Sequence, residues 1–245
     1  MKIIDAFWEQ RNLGVKAFEI VITSENSFED FVAVEKEILA KNAEYIVVKI
    51  PVNLSEYIWG LSNIGYTFIE TAFFISLHKD KYIVPAFVAR LDRSVDAKLV
   101  NKADAVEKVL VRIKDNVFNT DRISMDPYFT DEQGANRYLC WSRDMINNGA
   151  ELYNVAIKDK DIGFFIVKRI DKKTAYAVLT GLYPEYRRTG LGVLLLKKCL
   201  DTIWDLGFIK IETSVASNNL DIIKIDQAFG FGIDNVDYVY VKHII

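Results

Sequence analysis

Leu179 to Leu196, LTGLYPEYRRTGLGVLLL, constrains the fold more than any other stretch of the chain. An apolar strand runs into a Tyr-Pro-Glu-Tyr turn, and Arg187, Arg188, Thr189, Gly190, Leu191 and Gly192 then open a helix. Gly190 and Gly192 lack a Cβ, so the backbone can approach a ligand and take positive φ, while the two arginines supply charge. The unpaired N–H groups of the first helical turn, through Val193, point at one place that the helix dipole makes attractive to an anion such as a pyrophosphate. The spacing is not a Walker loop, which needs GK[ST], nor the dinucleotide fingerprint, which needs another glycine. A glycine-bearing strand-to-helix turn without a ligand is the structural alternative.

The chain has 245 residues, enough for one large domain or two small ones. A composition shift around Leu91 to Asp96 favours two: residues 1–95, a smaller α/β domain on the acceptor side, and residues 96–245. A formal net charge of −3 gives no footprint for nucleic acid. Cys140 and Cys199 fall in helical patterns and read as small buried hydrophobes. His78 and His243 show no paired spacing, so neither a metal site nor a His-based triad is expected. The start MKIIDAFWEQ is not a signal peptide and no apolar run reaches spanning length, which predicts a cytoplasmic protein with no membrane partner.

Periodicity predicts strands at Ala17 to Thr23, Glu44 to Pro51 and Tyr66 to Leu77, with helices at Ser27 to Lys41 and Leu54 to Ile64 between them. After the boundary come a short strand near Ala97 to Val100, helices at Ala103 to Val117 and Thr130 to Asn147, and a hairpin over Tyr153 to Ile170. Strand Lys173 to Leu182, helix Gly190 to Leu206, strand Phe208 to Val215, helix Leu220 to Phe229 and strand Ile233 to Ile245 complete the chain. No internal repeat is visible.

Arg187 to Gly192 resembles the RxxGxG signature of the GNAT N-acetyltransferases, whose loop holds the pyrophosphate of acetyl-CoA. Asn219 after the next strand and Gly230-Phe231 before the last strand extend the resemblance over Ala97 to Ile245. It implies an α/β (α+β) GNAT fold, a mixed central sheet flanked by helices, and acetyl-CoA as cosubstrate. AFWEQRNLGVKAFEI, IGYTFIET, DRISMDP and CWSRDMINN look more narrowly like the dTDP-fucosamine acetyltransferases. That resemblance implies acetyl transfer to the amine of a dTDP-linked amino-deoxy sugar lying between the domains, and a homodimer. Another small amine, a peptide N-terminus and a non-catalytic acyl-CoA module are the alternatives.

Carried over, the backbone N–H of Leu182 faces the thioester carbonyl, with Gly181 beside it, and Asn219 helps to hold the pantetheine arm; as a plain helix N-cap it needs no ligand. The family's acid is a tyrosine seven residues after that asparagine, where this chain has Asp226. Three readings stand: Asp226 is a buried, protonated acid; Tyr183, Tyr238 or Tyr240 substitutes; or the thiolate leaves unassisted. The last two predict little effect of Asp226→Asn. Glu70, on a Phe-rich strand, matches an acidic position that serves as base through water; a solvated edge-strand carboxylate is its ordinary reading. Arg122 is a candidate partner for a nucleotide phosphate and Trp141 a candidate stacking surface, against loop order and core packing.

Overall fold

The computed structural model describes residues 1–91 and 95–244. Ten strands form one sheet: β1 (Lys2–Asp5), β2 (Ala17–Val21), β3 (Tyr45–Pro51), β4 (Thr67–His78), β5 (Val95–Leu99), β6 (Glu151–Ile157), β7 (Lys160–Arg169), β8 (Thr174–Leu182), β9 (Lys210–Ala216) and β10 (Gly232–His243). Their order is β1-β2-β3-β10-β4-β9-β8-β7-β6-β5. Among the described residues nine α-helices cover the two faces: α1 (Trp8–Leu13), α2 (Phe28–Ala40), α3 (Ser55–Asn63), α4 (Ala86–Leu91), α5 (Ala103–Ile113), α6 (Arg122–Met125), α7 (Asp131–Asn147), α8 (Leu191–Asp205) and α9 (Leu220–Phe229).

Local chemistry fixes the helix starts. Ser27 and Asp30 form a capping box that begins α2, and Thr130 with Gln133 does the same for α7. Each helix then buries an apolar stripe, such as Val193, Leu196, Leu200 and Ile203 on α8. One face of the sheet takes α2 and α3 over β2 and β3, and α8 over β7, β8 and β9. The other takes α1 and α6 over β2, β3 and β10, and α5 and α7 over β6, β7 and β8. The periodic segments fall where the sequence puts them within a few residues, and β1, α1, α4 and α6, which are short, are additions.

The sheet order corrects the reading that the chain has no repeat. β2-α2-β3-α3-β4 and β8-α8-β9-α9-β10 have the same topology, β2 pairs parallel with β3 as β8 does with β9, and the order β2-β3-β10-β4-β9-β8 reads the same from either end. Each unit sends its last strand into the other: β10 pairs with β3, β4 pairs with β9, and the two exchanged strands pair with each other. A Gly-aromatic pair enters both exchanged strands, Gly65-Tyr66 and Gly230-Phe231. The division expected at 95/96 falls next to residues 92–94, outside the described residues, and the sheet is continuous across it. A polypeptide of residues 96–245 alone strips β10 of both neighbours and β9 of one. We expect it to show no cooperative thermal transition by circular dichroism, and a transition like that of the full chain contradicts the exchange.

Candidate active site

The site begins where two strands part. β8 and β9 pair only over Thr174–Tyr176 and Lys210–Glu212, and beyond them Thr213 Oγ1 donates to the Ala177 carbonyl at 2.8 Å. β7 holds the other edge of β8 as far as Leu182, and β4 holds β9 to Ala216, so the gap is a wedge between two fixed strands. Tyr183 N–H donates to Ile162 O at 2.9 Å toward β7. Strand alternation therefore turns the N–H of Leu182 to the opposite edge, into the wedge. Gly181 is a glycine for packing: a Cβ there meets the Phe164 ring at 2.7 Å.

The cradle stands at the wedge's mouth. A 3₁₀ turn at Pro184–Tyr186 leads to Arg187, Arg188 takes φ +61°, and Gly190 takes φ +80° as the N-cap of α8. No side chain caps α8, and Leu191 N–H has only a 3.4 Å contact to Thr189 Oγ1. A Cβ on Gly192 meets nothing within 4 Å, so the glycine answers no packing demand of the chain, and the space it leaves fits a bound anion. Arg187 Nη2 donates to the carbonyls of Asn116 and of Val117, the latter at 3.0 Å, which ties the cradle to the loop after α5, and Arg187 and Arg188 are both exposed.

Asn219 caps α9 by accepting from Ile222 N–H at 3.4 Å. Asp226, on the same helix, is 3% exposed, beside Cys199, whose Sγ lies 3.9 Å from Thr180 Oγ1 of β8. It borders a cavity of about 100 Å³ lined by Phe73, Ile75, Val215, Ile223 and Phe231. Burial among these apolar groups pushes its carboxyl up to about 7. Burial likewise pushes the Cys199 thiol up to about 12, which removes it as a nucleophile. Of the three tyrosines, Tyr183 lies buried under the Arg112 guanidinium at 3.4 Å, and Tyr238 and Tyr240 pack edge-on to Phe68 over the other unit's core.

On the opposite face, Glu70 lies across from Val239, which lies across from Lys49. Glu70 is 7% exposed rather than on a solvated edge, and its Oε2 has no hydrogen-bond partner among the described residues. Burial raises its carboxyl above the ordinary range, with Arg122 acting in the other direction. Around it runs an ion-pair chain: Lys49 to Glu19 at 2.7 Å, Arg122 to Glu19 at 3.1 Å and to Glu9 at 3.8 Å, and Arg137 to Glu9 at 2.7 Å and to Asp121 at 3.7 Å. Desolvation alone raises Glu19, but Arg122 and Lys49 outweigh it and hold the carboxyl at about 2. Arg122 thus pairs with two buried carboxylates, while its buried Nε has no hydrogen-bond partner among the described residues. Trp141 is half-buried and packs on the core beside Tyr138 at a centroid distance of 6.1 Å.

Residues 117–231 match the family model described as the acetyltransferase (GNAT) family. The chain has the GNAT fold, and the family match lies within its second unit and the segment before it. That family uses acetyl-CoA as cosubstrate, and the open space at Gly192 leaves room in the cradle for its pyrophosphate. A GCN5-related N-acetyltransferase from Sphaerobacter thermophilus superposes with a TM-score of 0.65 at 12% identity, over 99% of this chain and 75% of its own. A tandem GNAT protein from the clavulanic acid biosynthesis pathway gives 0.60 at 14% identity, over 94% and 76%. The glucosamine N-acetyltransferase region of a fungal multi-domain GH3 β-N-acetylglucosaminidase gives 0.67 at 11%, over 98% of this chain and 31% of that one. These likenesses are of fold, and no curated protein matches the chain.

Sequence reasoning missed the ion-pair chain and Asp237, because their residues come from α1, β2, β3, α6, α7 and β10 and share no motif; charged residues inside apolar strands were the available signal. The first unit has no glycine cradle of its own. β2 and β3 stay paired through Val21 and Lys49, Ile22 N–H continues the ladder to Lys49 O at 2.9 Å, and Thr23 to Ser27 contains no glycine. Calorimetry should therefore find one acetyl-CoA per chain, and two would contradict this. Gly192→Val should weaken acetyl-CoA binding by about tenfold or more, by filling the anion's place, with a melting temperature close to that of the unaltered protein.

Proposed function

We propose that this enzyme moves the acetyl group of acetyl-CoA directly to a small primary amine in the wedge between β8 and β9. The observation that carries the reading is the glycine cradle at the mouth of that wedge, with a buried carboxyl of raised pKa on each side, Glu70 and Asp226. Glu70 takes a proton from the ammonium, and the freed amine attacks the thioester carbon. The N–H of Leu182 donates to the oxygen as it gains charge. As the adduct collapses the nitrogen loses its second proton to solvent, the C–S bond breaks, and Asp226 protonates the thiolate.

Asp226 is preferred over a substitute tyrosine because Tyr183, Tyr238 and Tyr240 are held in other packing, and over unassisted departure because burial keeps a large share of its carboxyl protonated near neutral pH. A dTDP-linked amino sugar, the acceptor the narrower resemblance implies, rests on that resemblance alone, since Arg122 is already paired. The geometry favours another small amine, met in the cytoplasm with acetyl-CoA.

Two consequences follow from Asp226. As the acid, it makes kcat fall as pH rises past about 7, and Asp226→Asn lowers kcat by about a hundredfold or more and abolishes that fall; a variant of nearly full activity contradicts the assignment. Its folded pKa lies above the unfolded value, so stability is full below about 4 and is lost as pH rises through about 7. Asp226→Asn should then melt higher than the unaltered protein above neutral pH and show little difference in acid, which separates lost chemistry from lost folding.

A further inference from the structure

The acceptor side of the wedge has a net charge that restricts what can enter. Glu9, Glu19, Glu70, Asp121 and Asp237 share one linked cluster with three cations, Lys49, Arg122 and Arg137, and each cation already has a carboxylate partner. Two carboxylates are therefore in excess. Glu70 is one by geometry, with its buried Oε2 unpartnered among the described residues. Asp237 is the other: it is 6% exposed and accepts from Asn235 Nδ2 at 2.9 Å, with no ion-pair partner among the described residues.

The two are neighbours. Val239 lies across from Glu70 and Asp237 lies across from Ala72, which makes them diagonal positions on one face of adjacent antiparallel strands, their Cα atoms on the order of 7–8 Å apart. The strip beside them has small side chains, with Ala72 between Asp237 and Ala216, and opens to solvent at Ser214 and Asn235. Tyr176 reaches across the start of the wedge to Ser214, Oη to Oγ, at 3.0 Å. Floor and opening thus lie beside the wedge on the face away from α8, with Glu70 one strand beyond β9 and Asp237 on the strand after that.

Resting on the transferase reading, we infer that the acceptor is a small cationic amine without a phosphate group, bound between the carboxylates of Glu70 and Asp237. A phosphate in this strip meets two unpaired carboxylates and no unpaired cation, while an ammonium is attracted to both and is already beside its base.

The test is calorimetry on protein saturated with CoA, titrated with 1,4-diaminobutane, glucosamine and glucosamine 6-phosphate. We expect both unphosphorylated amines to bind, more weakly as sodium chloride is raised, and the phosphate ester to bind at least about tenfold more weakly than glucosamine. Glu70→Gln and Asp237→Asn should each weaken the diamine by about tenfold. Equal or tighter binding of the phosphate ester, no binding of either unphosphorylated amine, or an affinity indifferent to salt overturns the inference; the salt series uses the unaltered protein and so does not depend on the variants folding. A chain that fails to take up acetyl-CoA in the first titration counts instead against the transferase reading.

Discussion

The unpaired edge between β8 and β9 is the constraint on which the rest of the structure depends. Two parallel strands that begin as partners are kept apart because each is held more firmly by its outer neighbour, β8 by β7 and β9 by β4. An unpaired backbone donor or acceptor in such a place costs on the order of 1–3 kcal/mol. Thr213 Oγ1 answers one such group at the narrow end, on Ala177. The donors farther along, Leu182 among them, face the gap where β8 and β9 no longer pair. A wedge of this kind cannot relax by closing, because closing it breaks seven register positions with β4 or the ladder with β7.

What holds β4 against β9 is the exchange between the two units. β4 belongs by chain order to the first unit and by pairing to the second, and β10 has the converse position. The catalytic wedge of the second unit is therefore braced by a strand of the first, and that strand contributes Glu70 to the acceptor side. The first unit keeps the topology while its own parallel pair stays closed, with the Ser27 and Asp30 capping box standing where the second unit has glycine. On the proposed reading, the second unit holds the acetyl donor and both units build the acceptor wall.

Much of this was legible in the sequence because it is local. A cradle is a run of consecutive residues, and Gly190, Gly192 and Asn219 fall where their spacing puts them. Asp226 was legible as a departure from a tyrosine, but its environment was not, since the apolar walls come from β4, β9 and β10. The ion pairs of Arg122 were not legible, because an arginine in a polar loop reads as available and its partners Glu19 and Glu9 lie more than a hundred residues earlier. The repeat escaped for a related reason: what the units share is strand pairing, and only Gly65-Tyr66 and Gly230-Phe231 carry it in residue identity.

The most direct test of the central claim is amide hydrogen exchange with and without acetyl-CoA, read at Leu182, Gly192 and Val193. The account predicts that these three amides become protected when acetyl-CoA binds, while those of Thr23 to Ser27, the corresponding turn of the first unit, do not change. Protection of the Thr23 to Ser27 turn, or no change at Leu182 with acetyl-CoA bound, would contradict it.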